Sequence, residues 1–198
     1  MAFDRAAAVR SALRRLVAER GFHGVSMSAV AKEAGVATGT AYVHYDSKDE
    51  LVKASYRELK AGFVEAGAAA IDPDGSAECR FRQLWLGAYH HLSCDPVGAR
   101  FMIQVDASPY AAELYGESAA EPPTRAVTEE GAAADPLMIQ AGLADMSAAL
   151  LDLPLEVIYD LGIGPMVRVV ASERPLTAEQ LDTMAGACWR AISKPTRR

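Results

Sequence analysis

Residues 26–45 contain two short helical segments separated by a glycine, and this stretch constrains the fold more than any other. Ser26 can cap the first segment, because its side-chain oxygen can accept from the free amides, and Gly35 ends that segment. The small residues Ala31 and Ala34 let a second helix cross closely, and this helix runs to about Tyr45. The pattern predicts a helix-turn-helix whose second helix, with its protruding Thr, Tyr and His side chains, can enter the major groove of DNA.

Helices are also predicted on both sides of this stretch. Apolar side chains at helical spacing favour a first helix over 5–20, which ends at Gly21, and a capping box at 47–50 starts a fourth helix that runs to about 70. Longer and more apolar helices follow at roughly 77–92, 97–106, 136–151, 155–172 and 177–192. We therefore predict an all-α fold, with a three-helix head over residues 1–47 and a helical body over residues 48–198.

The charge is divided unevenly along the chain. The net charge is −6, but residues 1–60 hold 10 Lys and Arg against 7 Asp and Glu, giving +3, and residues 61–198 hold 10 against 19, giving −9. Affinity for nucleic acid depends on local charge, so a basic head on an acidic body is compatible with DNA binding by the head alone.

The sequence also carries expectations about the compartment. No stretch reaches the roughly 18 apolar residues that span a bilayer, and the first residues lack the apolar core of a secretion signal. The three cysteines, Cys79, Cys94 and Cys188, are odd in number and lack metal-type spacing. We predict a cytoplasmic protein without membrane contact, in which the cysteines are packed thiols.

The motifs of residues 5–60 occur in a dense order. The first helix ends in Glu-Arg-Gly-Phe at 19–22, the second carries Ala-x-x-Ala-Gly-Val at 31–36, and Thr-Gly-Thr-x-Tyr-x-His-Tyr follows at 38–45, before Ser-Lys-x-x-Leu at 47–51. This stretch resembles the N-terminal DNA-binding domain of the tetracycline repressor family. The resemblance implies a ligand-responsive transcriptional regulator with a ligand-binding and dimerisation body, and favours a repressor that a small molecule releases from its operator.

The resemblance also implies which residues contact double-stranded DNA. These residues are Ser26, Ser28, Thr38, Gly39, Thr40, Tyr42, Val43, His44 and Lys48. In this assignment the glycine lets backbone approach DNA, the threonines touch bases or phosphate, and the tyrosine and histidine reach backbone oxygens. The lysine matches the family's phosphate-contacting lysine, the serines hold the opposite phosphate strand, and the valine can contact a thymine methyl if it faces the groove.

The sequence departs from the family pattern at four positions. Ala37 replaces the usual serine cap, Ala41 replaces a bulky apolar anchor, and Thr38 and Val43 often have charged or aromatic counterparts in the family. The resemblance therefore implies no base preference. Tyr42 and Tyr45 each have an alternative as core residues, and we favour the core interpretation for Tyr45. A helical interaction module without DNA binding is a second interpretation of the whole chain.

Aromatic and Met side chains of the predicted helices 77–92 and 97–106 suit an apolar cavity for a small-molecule effector. The candidate ligand-binding residues are Phe81, Trp85, Tyr89, Phe101, Met102 and Gln104. The alternative is that these side chains form an ordinary core, because an aromatic stripe at helical spacing occurs in hydrophobic cores as well as in ligand cavities.

The last two predicted helices, 155–172 and 177–192, are the expected homodimer interface. The stripe that supports this prediction consists of Leu181, Met184, Ala185, Cys188, Trp189 and Ile192. One helix cannot bury so much apolar surface alone, and a paired four-helix bundle across a two-fold axis would cover it. A hairpin within one chain is the alternative.

No sequence motif indicates catalysis or a cofactor. The chain lacks a glycine-rich phosphate loop, a nucleophile elbow and a two-histidine zinc helix, so we predict that it is not an enzyme. His90 and His91 are adjacent and point to different faces, and the pairs that they form with Cys94 and Asp95 do not complete a metal site. We expect no metal and no cofactor.

Overall fold

The computed structural model describes residues 4–114 and 146–195. The head consists of α1 (Arg5–Arg20), α2 (Met27–Glu33) and α3 (Thr38–His44). The Asp4 carboxylate caps α1 by accepting from the Ala7 amide at 3.1 Å, and α1 ends at Gly21, where φ is 70°. The predicted apolar face of α1 is confirmed, because Val9, Leu13, Leu16 and Val17 are all buried.

A long helix, α4 (Lys48–Ala68), follows the head directly. The Ser47 hydroxyl accepts from the Glu50 amide at 3.1 Å, and the Glu50 carboxylate accepts from the Asp46 amide at 2.6 Å. These bonds confirm the predicted start of the helix. Since α4 packs against α1 as well as against α5, it links the head to the body, as does the direct packing of α1 against α6.

The body contains α5 (Ala77–Ser93), α6 (Pro96–Asp106), α7 (Leu155–Gly162), α8 (Gly164–Ala171) and α9 (Ala178–Ile192). Residues 4–114 and 146–195 include no β-strand, and their only extended pairing is an isolated bridge between Leu150 and Ser193. The predicted all-α fold is therefore confirmed. The helix predicted over 136–151 lies largely outside the described residues, although 146–149 are helical.

The single helix predicted over 155–172 is wrong, because it breaks at Ile163 into α7 and α8. Pro165 has no amide hydrogen to continue the helical ladder, and the Met166 amide bonds to the Ile163 carbonyl at 2.9 Å. The Gly162 carbonyl is thereby released, and the indole Nε1 of Trp85 donates to it at 3.0 Å. The break is thus stabilised by a side chain from another helix.

Glycines allow α4 and α5 to cross at very short distance. A β-carbon on Gly87 of α5 would lie 2.7 Å from the Ala66 carbonyl oxygen and 3.1 Å from the Gly67 Cα, both on α4. A β-carbon on Gly67 would lie 2.9 Å from the Leu84 carbonyl oxygen. The two backbones touch at this crossing, and no larger residue fits without a shift of one helix.

Two further expectations concern the cysteines and the membrane. Only Cys188 is buried, whereas Cys79 and Cys94 are exposed, so the expectation of three packed thiols is wrong for two of them. Both exposed cysteines lie near helix termini, at the first turn and the C-cap of α5, where packing is incomplete.

Among the described helices, none combines the length and apolar composition that crossing a membrane requires.

Candidate nucleic-acid interface

The head holds α2 and α3 in a helix-turn-helix. Gly35 adopts a φ of 68°, and the Val36 amide donates to the Ala31 carbonyl at 3.0 Å, so the chain reverses sharply between the two helices. Ala41 is fully buried where α3 packs against α2. The small side chain at this position therefore lies inside the core of the head.

The start of α2 brings two of the predicted DNA contacts together. The Ser26 hydroxyl accepts from the Ala29 amide at 3.2 Å and lies 2.9 Å from the Ser28 hydroxyl. Both serines are exposed. Ser26 thus has a structural role as the helix cap, and both hydroxyls also lie at the surface.

Most of α3 faces solvent. Thr38, Gly39 and His44 are exposed, and Thr40 is half-buried. The side chain of Tyr42 is 50% exposed and that of Val43 is 80% exposed, so the alternative of a core role for Tyr42 is wrong. As expected from Ala37, no side chain caps α3.

Tyr45, directly after α3, is 6% exposed, which confirms its prediction as a core residue. Its hydroxyl accepts from the Arg10 guanidinium at 2.5 Å and lies 3.4 Å from the Ala6 carbonyl oxygen, to which it donates. Tyr45 therefore anchors the end of α3 to α1, and this anchor fixes the orientation of the exposed face.

Two arginines of α1 fasten the head to α4. Arg10 and Arg14 contact opposite carboxylate oxygens of Glu58 at 2.7 and 2.6 Å. Burial of Glu58 disfavours its ionised form, but the hydrogen bonds and charges of the two arginines outweigh this and lower the pKa of Glu58 below its ordinary 4.5. Glu58 in turn raises the pKa of Arg10.

A lowered pKa in the folded state predicts a dependence of stability on pH. The contribution of Glu58 is complete above about pH 4.5 and is lost as the pH falls through its lower folded-state pKa, because the unfolded chain then binds more protons. In urea unfolding from pH 7 to pH 3, the difference in unfolding free energy between wild type and Glu58→Gln should shrink toward zero. We expect less than about 1 kcal/mol per pair, since both pairs are partly exposed. Glu65→Gln, an exposed change on the same helix, is the control. If its unfolding free energy differed from that of wild type by the same amount and with the same pH dependence, the prediction would be contradicted.

Aromatic contacts join the head to the body. Phe22, in the loop after α1, packs against Phe101 of α6 at 6.4 Å and Tyr110 at 5.3 Å between ring centroids. The Tyr110 hydroxyl donates to the Asp49 carboxylate at 2.5 Å, beside Lys48 at the start of α4. Burial and the adjacent Asp49 carboxylate raise the pKa of Tyr110 to about 12. The segment after α6 therefore contacts both the head and the start of α4.

The predicted ligand-binding residues do not form one group. Trp85 is fully buried, its ring lies parallel to that of the half-buried Tyr89 at 6.0 Å, and Phe81 contacts Trp189 of α9 at 5.4 Å. Phe101 faces the head instead. Met102 is fully buried, and Gln104 is exposed, with its amide oxygen close to Gly21. The first three side chains lie among α5, α7 and α9, apart from Phe101 and Gln104.

The body contains a polar cluster that the sequence analysis missed. The Lys60 ammonium group lies 4.5 Å from the ring centroid of Tyr159 and 5.6 Å from that of Tyr56, whose hydroxyl donates to Asp106 at 3.0 Å. Burial lowers the pKa of Lys60, and Asp106 acts in the opposite direction. The spacing of Tyr56 and Lys60, four residues apart on an otherwise apolar helical face, was the available signal.

The apolar stripe of α9 is buried inside its own chain. Of its members, five are buried and Met184 is half-buried, and α9 packs against α5 and α7. The expectation that a partner subunit must cover this stripe is therefore wrong, because α5 and α7 already do so. Exposed apolar side chains occur instead on α7, where Val157 and Leu161 are 38% and 40% exposed, and at Leu153 just before it, which is 41% exposed. The exposed side of α9 presents an open groove whose lining includes Gln180, Thr183 and Ala187.

Comparison with known proteins places the N-terminal motifs in a family. The model of "Bacterial regulatory proteins, tetR family" matches residues 9–55. An uncharacterised HTH-type transcriptional regulator of Haemophilus influenzae is 32% identical over 93 residues, which are 47% of this chain and 50% of that protein. The chain thus spans about half the length of this curated relative.

Similarity to solved structures extends over the whole fold. The structure of a putative tetR family transcription regulator from Shewanella sp. PV-4 has a TM-score of 0.71 at 24% identity, covering 98% of this chain and 100% of that one. That of a TetR family transcription regulator from Marinobacter aquaeolei VT8 has a TM-score of 0.69 at 18% identity, covering 96% of each chain. At these identities the likeness establishes a shared fold.

Proposed function

We propose that the chain belongs to the tetR family of bacterial regulatory proteins and is a ligand-responsive DNA-binding transcriptional regulator, a repressor released from its operator by a small molecule. The observation that carries this proposal is the exposed face of α3. The packed face of α3 is formed by Ala41 and continued by Tyr45, both buried, whereas Tyr42 and Val43 project from the head. Large apolar side chains exposed on a short helix indicate a binding surface.

In the proposed complex, α3 lies in the major groove and its flanks meet the phosphates. The contacts are divided between Thr38, Gly39, Thr40, Tyr42, Val43 and His44 on α3, Ser26 and Ser28 at the start of α2, and Lys48 at the start of α4. Because residues 1–60 carry a net charge of +3 and residues 61–198 carry −9, attraction to phosphate would orient the head toward DNA.

The regulator acts as a homodimer in this proposal. Two heads about 34–36 Å apart would bind successive major grooves of a near-palindromic operator. The region of residues 155–172 and 177–192 is the proposed interface, through its outward surface rather than the buried stripe of α9. Leu153, Val157 and Leu161 supply exposed apolar area there, as a two-fold interface requires.

An effector in the body would act on the head through α4. We place the boundary between head and body at Ser47 and Lys48, so α4 belongs to residues 48–198 and carries Lys48 at its first position. The Tyr110 hydrogen bond to Asp49 and the packing of Phe22 join the body to this end of α4. These contacts would have two arrangements, one that favours DNA binding and one that does not. A ligand that binds the second arrangement more tightly would lower the affinity for DNA, by at most the difference between its own affinities for the two arrangements.

We propose the effector site in the interior of the body, near α5. Phe81, Trp85, Tyr89 and Met102 supply apolar surface, and the cluster of Lys60 supplies the few polar groups that a ligand pocket needs. Of the six candidates, Phe101 and Gln104 face the head, so any role of theirs would concern coupling to the head.

The experiment that tests the function is selection of bound sequences from a random duplex pool, followed by titration of the enriched duplex. Enrichment of a palindromic motif, bound by two chains per duplex at near-physiological salt, would support the DNA-binding head and the dimer together. Failure of the folded protein to enrich any sequence would contradict the proposal and favour a helical interaction module without DNA binding.

Replacement of Lys48 by alanine should weaken binding to every DNA sequence alike, because phosphate contacts carry no base information. Each lost phosphate contact should make the slope of log affinity against log salt shallower by about 1, so a dimer should lose about 2. Fluorescence titrations at several salt concentrations measure this slope. Lys194→Ala, which removes the same charge beyond the end of α9, is the matched control. Equal slopes for wild type and Lys48→Ala would exclude the phosphate role.

A further inference from the structure

The exposed face of α3 has an apolar centre line. With about 100° between successive residues of an α-helix, Gly39 and Val43 each lie about 160° around the helix from Ala41. Ala41 is fully buried, so these two residues form the outermost line of the helix. Val43, at 80% exposure, is the most exposed of the large apolar side chains in the described residues, and Gly39 adds no side chain in front of it.

Groups that can form hydrogen bonds lie to the sides of this line. Thr40 and Tyr42 are each about 80° from its centre, and Thr38 and His44 lie about 120° away, toward the core of the head. If α3 enters a groove with its exposed face forward, the side residues meet the groove walls. The centre line, which reaches deepest, consists of the Val43 isopropyl group and the Gly39 backbone.

The composition of α3 removes the usual means of reading bases. Its sequence is Thr-Gly-Thr-Ala-Tyr-Val-His, without arginine, lysine, asparagine, glutamine, aspartate or glutamate. Those side chains supply the selective hydrogen bonds that identify guanine, adenine and cytosine in the major groove, whereas a threonine hydroxyl can bond to more than one base. The apolar feature that the major groove offers is the C5-methyl group of thymine.

We infer that Val43 determines base specificity by packing on the C5-methyl group of a thymine in each operator half-site, with Gly39 permitting the close approach. This inference rests on the proposed function, since it names what the DNA-binding face reads. Tight binding then requires a thymine at the operator position under Val43, and the protein distinguishes thymine from other bases there by shape and apolar contact.

Deoxyuridine differs from thymidine only by lacking this methyl group, so it tests the inference directly. Each thymine of the selected duplex is replaced by deoxyuridine in turn, symmetrically in both half-sites, and affinity is measured by titration. Loss of one buried methyl-sized contact should weaken binding about fourfold per half-site, or about fifteenfold for both, at one or two positions. The Val43→Ala protein should bind the thymine duplex more weakly and should no longer distinguish it from the uracil duplex.

The control is Lys48→Ala, which should weaken binding to both duplexes while preserving their ratio. Because Val43 is exposed, its replacement should leave the thermal unfolding of the protein unchanged, and circular dichroism verifies this. The inference is overturned if the selected site holds no thymine under α3, if uracil is tolerated at every position, or if Val43→Ala keeps full discrimination. Failure of the proposed function differs from all three, because the wild-type protein would then bind no duplex specifically.

Discussion

Replacing Trp85 with alanine is expected to lower the free energy of unfolding by about 3–5 kcal/mol, as for other large buried aromatic residues. Trp85 is fully buried, its indole donates to the Gly162 carbonyl at 3.0 Å, and that carbonyl is available only because the helix breaks at Ile163. The substitution therefore creates a cavity and also leaves a buried carbonyl without its donor. Urea unfolding followed by circular dichroism measures the loss.

A second variant separates the two contributions. Trp85→Phe keeps most of the apolar volume but removes the indole donor, so it should lower the unfolding free energy by about 1–3 kcal/mol. If Trp85→Ala left stability nearly unchanged and instead altered the response of DNA binding to an effector, Trp85 would be a ligand-binding residue, as the sequence predicts, and its structural role would be minor.

Replacing Gly87 with alanine is the second substitution for which we expect a large effect, a net loss of about 1–3 kcal/mol of unfolding free energy. The new β-carbon would lie 2.7 Å from the Ala66 carbonyl oxygen, and backbone atoms cannot move aside as a flexible side chain can. The gain of about 1 kcal/mol in helix propensity from glycine to alanine opposes this effect without cancelling it. Chemical denaturation of the purified protein measures the net change.

Gly164→Ala is the matched control for this substitution. A β-carbon at Gly164 would meet its nearest neighbours beyond Pro165 at 3.7 and 3.8 Å, which are ordinary contacts, so the loss of stability should be smaller than for Gly87→Ala even though a residue before proline disfavours helix. Equal stabilities for Gly87→Ala and Gly164→Ala would show that α4 and α5 separate easily at the crossing. In that case the packing of α4 against α5 would deform easily, and the connection between head and body would not be rigid.

Local signals explain why the head was predictable in detail. Ser26 and Ser47 cap their helices through bonds to amides three residues ahead, and Gly21 and Gly35 adopt positive φ where the chain turns. Each of these interactions is encoded within a few residues of sequence. The start of α4 at Lys48 and the burial of Tyr45 followed from the same short-range pattern together with the family motif.

The body shows where periodicity alone is insufficient. An apolar stripe indicates that one face of a helix is buried, but it does not identify the element that packs against it. For α9, these elements are α5 and α7 of the same chain. The aromatic residues of α5 and α6 likewise suit a core and a cavity equally well by spacing. Phe101 proved to face Phe22 of the head, a contact between residues 79 positions apart in the sequence.

The sequence by itself determined the all-α fold, the helix-turn-helix and the likeness of residues 9–55 to the tetR family model, because caps, turns and short motifs act over one or two helical turns. Tertiary structure alone decided the indole bond that stabilises the break at Ile163, the contact of backbones at Gly67 and Gly87, and the apolar side chains that stay exposed. These depend on which helix faces which, and that choice is made by the close packing of distant segments, where a single methyl group or an indole hydrogen bond changes the outcome.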